Sequence, residues 1–168
     1  MAQDASTPVD GHTFREAMAL LAAPLTIVAT RDAHGHRKGF TASAVTSVSL
    51  DPPLLLVGLS NDSSCRAALT AAAGFTVNVL GSHHAAAARQ FASRGVDRFA
   101  GLGFEDWTGT DLPYLADAAA VLHCRTADLI PVGDHHLLIG EVTGVRTHGV
   151  TEPLLWHRRG FHSTREVG

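Results

Sequence analysis

Apolar residues along the chain come in short runs, separated by Gly, Pro and clusters of hydroxyl and charged residues. The first periodic stretch predicts a helix from Thr13. Thr13 and Glu16 have the spacing of a capping box, and Phe14, Met18 and Leu21 fall on one helical face. Pro24 ends that run. Leu25–Thr30 then reads as a strand, and the polar turn 31–38 around Gly35 leads to a second strand beginning near Gly39. Residues 39–50 are β-branched, hydroxyl-rich and nearly uncharged, with small residues between. Asp51-Pro52-Pro53 is a rigid break. Leu54–Leu59 is an apolar run of buried-strand length, and the loop Asn61–Ser64 caps a predicted helix over Cys65–Ala73. Further along, Phe75–Leu80 predicts a strand and His84–Phe91 an alanine-rich helix. Ser93–Asp111 is Gly-rich and irregular. Ala118–Thr126, Asp134–Arg146 and Leu154–His157 predict later strands. About seven strands with about three helices as excursions suggest an antiparallel barrel with peripheral helices, not regular βαβ alternation.

Composition narrows the possibilities. A chain of 168 residues, 45% hydrophobic and 17% charged, builds one core, so residues 13–168 are expected to form one domain behind a polar, flexible tail over 1–12. The net charge of −3 gives no broad electrostatic reason for nucleic-acid or anionic-membrane binding. No apolar run approaches the ~18 residues of a membrane span, and the N-terminal segment lacks signal-peptide regions. With only Cys65 and Cys124 there is no disulfide framework or four-cysteine zinc site. These features point to a soluble cytoplasmic protein.

The phosphate-loop, dinucleotide-fingerprint, nucleophile-elbow and zinc-protease motifs are all missing. The histidine pairs His34/His36, His83/His84 and His135/His136 invite a metal reading. Adjacent residues on a strand face opposite ways, so the expectation is no metal site. Cys124, in a predicted strand, reads as a buried structural thiol. Three features remain: the hydroxyl-rich stretch Thr41–Ser49, the loop Ser60–Ser64 before a helix, and Gly133-Asp134-His135. A small, hydroxyl-bearing segment lets a flat molecule approach backbone N–H groups. A Ser/Asn loop leading into a helix suits an anion such as phosphate, although ordinary helix capping explains it equally.

In order and spacing, these features resemble the flavin reductase family with the flavin-binding split-barrel fold, the reductase components of two-component flavin monooxygenases. The matching stretches are GFTASAVTSVSLDPPLLLVGL (39–59), GFTVNVL (74–80), FASRGVDRFAG (91–101), LPYL (112–115), GDHHLLIGEV (133–142) and PLLWHRRGF (153–161). The resemblance implies a mainly β split barrel, FMN or FAD as cofactor and NADH or NADPH as reductant. It implies that Thr41, Ala42, Ser43 and Ala44 line the isoalloxazine, with Ser47 further along the same wall. Ser60, Asn61, Ser63 and Ser64 would hold the ribityl chain and phosphate, and Arg98 and Phe99 would close the phosphate side. His135 would face the nicotinamide as the catalytic residue, with Trp156 and His157 completing that pocket. Relatives often carry Tyr near Trp156, and this chain does not. The implied activity is NAD(P)H-dependent flavin reduction by a homodimer, supplying reduced flavin to a separate monooxygenase. Alternatives are a flavoprotein reducing its own small-molecule acceptor and a non-enzymatic flavin- or haem-binding module.

Overall fold

A computed structural model describes residues 7–149 and 152–167. In chain order the elements are α1 (Gly11–Met18), β1 (Ala23–Pro24), β2 (Thr26–Arg31), β3 (Arg37–Ala42), β4 (Val45–Leu50), β5 (Pro53–Ser60), α2 (Arg66–Ala71) and β6 (Gly74–Val79). A 3-10 turn (Ser82–His84) then leads into α3 (Ala85–Ala92), followed by β7 (Phe104–Asp106), β8 (Pro113–Leu115), β9 (Ala120–Val132), β10 (His135–Thr147), β11 (Leu155–His157) and β12 (Gly160–His162).

Seven strands form one antiparallel sheet in the order β3-β2-β6-β9-β10-β5-β4. The edge strands β3 and β4 are consecutive in sequence, and only Ser43 and Ala44 separate them. The sheet therefore curls toward itself without closing, which is the split barrel expected. Two small sheets complete the fold, β1-β11-β12 and β7-β8.

The lack of polar alternation at residues 25–30 has a simple cause. β2 is buried on both faces: Ile27 and Ala29 join one core with Leu80, Phe91 and Leu115, while Val28 joins a second with Val57, Phe75 and Leu138. β6 also runs through the interior, and its polar residues are paired there. Thr76 Oγ1 donates to Pro113 O at 2.6 Å. Asn78 Nδ2 donates to Ile27 O at 2.9 Å, and Asn78 Oδ1 accepts from Leu115 N at 2.8 Å. Buried amides left without such partners would be costly.

Several boundaries differ from the expectation. Residues 1–6 of the expected tail lie outside the described residues, but Gly11 and His12 are already helical. The cap is Asp10, whose Oδ1 accepts from His12 N and Thr13 N at 2.9 and 3.0 Å. A carboxylate there is favoured over a hydroxyl by the positive end of the helix dipole, so Thr13 instead donates to Asp10 Oδ2. Glu16 makes no capping box; it pairs with Arg159. Phe14 and Met18 stand one turn apart on α1, but the helix ends before Leu21, and all three stay about half exposed or more. The hydroxyl-rich stretch 39–50 breaks into two strands at Ser43-Ala44. α2 is shorter than expected, β9 is longer at 13 residues, and β10 has the expected length shifted by one position. β7 lies inside the stretch read as irregular.

Candidate functional site

α3 lies on β3, and small residues make the approach possible. A Cβ on Gly39 would fall 2.8 Å from Phe91 Cε1, so no larger residue fits beneath the helix. Two residues on, the Thr41 hydroxyl donates to Ala88 O at 2.6 Å. Alternate residues of a strand share a face, and Gly39, Thr41 and Ser43 present theirs to α3 and its flanking loop. Two clefts lie along this face.

The first cleft has a volume of about 720 Å³, within the range for cofactor sites. Thr41, Ser43, Ala88 and Ala92 form its small-residue wall. The β11–β12 hairpin supplies the other wall through Trp156 and Phe161, whose rings meet edge to face at 5.3 Å. Arg89 of α3 stacks over Phe161 at 4.6 Å, and Arg159 sits at the hairpin turn. The hairpin is fixed from below: Trp156 pairs with Ala23, Leu154 N donates to Leu80 O at 3.0 Å, and Arg158 N donates to Ala19 O at 2.8 Å.

The second cleft, about 410 Å³, is basic and hydroxylic. Lys38, Ser64, Arg94 and Arg98 line it, with Asp62 and Asp97. Arg94 is exposed, and its guanidinium only approaches Asp62 O, at 3.5 Å. Arg98 is held differently: Nε and Nη2 donate to Ser93 O at 2.9 and 2.8 Å, and Nη1 donates to Gly39 O at 2.8 Å. Its ring neighbour Phe99 packs against Phe91 and Phe104, with centroids 4.9 and 4.8 Å away.

The residues implied by the resemblance thus separate into groups. Thr41, Ser43 and Trp156 line the first cleft; Ser64, Arg98 and Phe99 line the second. Arg98 and Phe99 act mainly as scaffold, because the guanidinium donors go to backbone carbonyls and the ring goes to an aromatic cluster. Ala42 points into the core and its carbonyl accepts from Thr26 Oγ1 at 3.0 Å, so it supports the wall from behind. Ala44 O accepts from Gly58 N at 2.8 Å. Ser47 is exposed on the edge strand β4 and lines neither cleft. Ser60 Oγ accepts from Asp62 N at 3.2 Å and Ser63 Oγ from Cys65 N at 3.2 Å, so both hydroxyls shape the loop before α2. His157 turns away from Trp156 and meets His162 edge to face at 5.5 Å.

His135 lines neither cleft. It begins β10 just after the turn at Gly133, whose φ of 57° suits a residue without Cβ. The turn docks on the Ser60–Ser64 loop: His135 pairs with Ser60 in the sheet, and Asn61 N donates to Asp134 O at 3.0 Å. His135 Nδ1 lies 2.7 Å from Asp134 Oδ1, a bond that holds the Asp134 carboxyl below its ordinary range. Nδ1 therefore donates, and Nε2 is left as the free end of the half-exposed ring. His136 Nδ1 likewise donates to Asn61 Oδ1 at 2.7 Å. Sequence reading assigned no role to Arg89, Arg159 and Phe161 at the first cleft or to Arg94 at the second.

Among the described residues, one histidine–carboxylate group is close enough for a metal: His83, His84 and Asp117. The pair stands on a 3-10 turn, not a strand, so both rings point the same way, 3.8 Å apart. This corrects the strand argument. The chemistry nonetheless opposes a ligand role for His84. Gly81 N donates to His84 Nδ1 at 3.0 Å, which places the neutral ring's proton on Nε2, 3.1 Å from Asp117 Oδ1. Cys124 matches its structural reading, since burial pushes its thiol up to about 12. None of the described helices is long and apolar enough to cross a membrane.

Comparison with known proteins agrees with this architecture. The model of the flavin reductase like domain matches residues 18–165. The NADH:riboflavin 5'-phosphate oxidoreductase of Streptomyces pristinaespiralis is 51% identical over 164 residues, covering 96% of this chain and 93% of the relative. The NADH:FAD oxidoreductase SgcE6 of Streptomyces globisporus, solved with NAD and FAD fragments, superimposes with a TM-score of 0.87 at 30% identity, covering 95% of this chain and 98% of that one. The styrene monooxygenase flavin reductase of Pseudomonas putida gives a TM-score of 0.83 at 29% identity, covering 92% and 99%. With the family model matched over residues 18–165 and a relative 51% identical along nearly its whole length, the chain belongs to the flavin reductase like domain family.

Proposed function

We propose that the two clefts serve one reaction, the reduction of FMN or FAD by NADH. The observation that carries this reading is their placement: a small-walled, aromatic cleft and a basic, hydroxylic one lie along the same face of β3. A flat ring system fits the first, and a phosphate fits the N–H, hydroxyl and guanidinium donors of the second. When bound, the flavin supplies the two-electron acceptor chemistry. The protein contributes binding and alignment. Thr41–Ala44 offer a surface without bulky side chains to the ring. Ser64, Arg94 and the loop shaped by Ser60 and Ser63 receive the phosphate. Trp156 and Phe161 provide apolar surface for the nicotinamide. His135 braces the phosphate loop through the Asp134–Asn61 contact and presents Nε2 at its edge.

The functional unit is a homodimer in this reading. Val48 and Leu50 on β4 and Ile130 and Val132 on β9 leave apolar surface exposed beside an unpaired sheet edge. Reduced flavin then passes to a separate monooxygenase, as the names of the structural neighbours suggest, and in this reading the two meet in the cytoplasm. The test is NADH oxidation with free FMN and FAD, followed by absorbance, with light scattering on the same sample. Turnover by a dimer is expected. Flavin binding without NADH oxidation would leave a binding module.

A further inference from the structure

The turn between β11 and β12 is a two-residue hairpin loop, Arg158-Arg159, since His157 pairs with Gly160. Both residues have positive φ, 48° and 60°. A turn with both central residues left-handed is usually built from Asn and Gly, and bulkier side chains are strained there. Strain of this kind persists where a side chain has a task. Arg158 does not line the cleft; Arg159 does. One of its nitrogens is tethered by Glu16 of α1, which leaves further donors of the guanidinium fork available. Arg89 reaches the same cleft from α3, stacked on Phe161. The described residues lining this cleft include no carboxylate; Glu16, outside it, shares the charge of Arg159 from behind. The cleft therefore joins aromatic surface to two cations, an arrangement suited to a flat ring with an anionic group one sugar away.

We infer that Arg159, with Arg89 beside it, binds the phosphate next to the nicotinamide ribose of the reductant, so that β11–β12 recognises a nucleotide and not merely a dihydropyridine ring. This rests on the reading of the first cleft as the reductant's. Glu16 is a positioning residue that aims the fork, and the left-handed turn brings it to the rim.

The test compares kcat/KM for NADH, reduced nicotinamide mononucleotide and an uncharged N-benzyl dihydronicotinamide, with FMN as acceptor. In Arg159→Ala the ratio of NADH to benzyl analogue is expected to fall about tenfold, mainly through KM. The same loss is expected with the mononucleotide, which keeps the phosphate and lacks the adenosine. Arg159→Lys should recover only part of it, because a point charge replaces the fork. An unchanged ratio, or a loss with NADH but not with the mononucleotide, overturns the assignment. Ala92→Trp, which fills the cleft, separates the two levels. If it leaves NADH turnover intact, the cleft reading itself falls. If it blocks NADH while Arg159→Ala leaves the ratio unchanged, only the arginine assignment falls.

Discussion

Replacing Arg98 with Ala decides between two roles for a residue that the family resemblance implies at the flavin phosphate. In the structure its donors go to Ser93 O and Gly39 O, and Nη1 also lies 3.3 Å from Cys65 Sγ. The bond to Gly39 O is partly buried and charge-assisted, worth about 1.5–3 kcal/mol. The fork onto Ser93 O is exposed and shares one acceptor, so it adds about 1 kcal/mol or less after screening. Gly39 O keeps the Cys65 Sγ donor at 3.1 Å, which limits the loss. The expected cost is about 2–3 kcal/mol of stability in the protein without flavin. Urea unfolding followed by circular dichroism, at one fixed protein concentration, measures it. An FMN titration of the same variant should show weaker binding through a loosened Ser93–Phe99 loop, and Arg98→Lys should restore stability more than affinity. A tenfold loss of FMN affinity with less than about 0.5 kcal/mol lost from the flavin-free protein would refute this and return Arg98 to the phosphate.

Asn78→Ala should be more damaging, since it leaves Ile27 O and Leu115 N unpaired in the interior. A loss of about 2–5 kcal/mol in urea unfolding is expected, and one below about 1 kcal/mol would contradict the pairing. Cys124, with its thiol pushed up to about 12 by burial, should resist iodoacetamide in the native protein at about pH 8.5 and react once unfolded. Mass spectrometry of the peptide containing Cys124 reads the outcome.

The elements most legible in the chain are those whose local chemistry and burial agree. β2, β5 and β6 are apolar runs of strand length that end up inside, and Gly35 and Pro52-Pro53 mark real turns. The far end of β9 escapes such reading. Asp128 and Pro131 are exposed there, so paired backbone, not apolar pattern, makes that stretch strand. At α1 two caps compete within three residues, and charge decides for Asp10. The site was legible in its wall and its loop, because small and hydroxyl residues are unusual enough to be noticed. It was illegible where roles depend on distant partners. Glu16 and Arg159 are 143 positions apart, and nothing local to either announces the pair. The same holds for Arg98, where the family resemblance names the residue but cannot say which oxygen receives its protons.

The connection between the two edges of the barrel has a consequence for how the sheet keeps its alignment. β4 has few of the usual guards of an edge strand: VTSVSL has no charge and no proline, and only the register shift between Ser47 and Ser49 interrupts it. Its further guard is a leash. Ser43 and Ala44 span at most about 7 Å when extended, so β4 cannot slide along β5 without dragging β3 along β2 at the opposite edge. A slip of one position would turn every side chain of both strands to the wrong face at once. The opening that admits a ligand on one side of the barrel is thus hinged by the shortest link in the sheet, and each border holds the other in step.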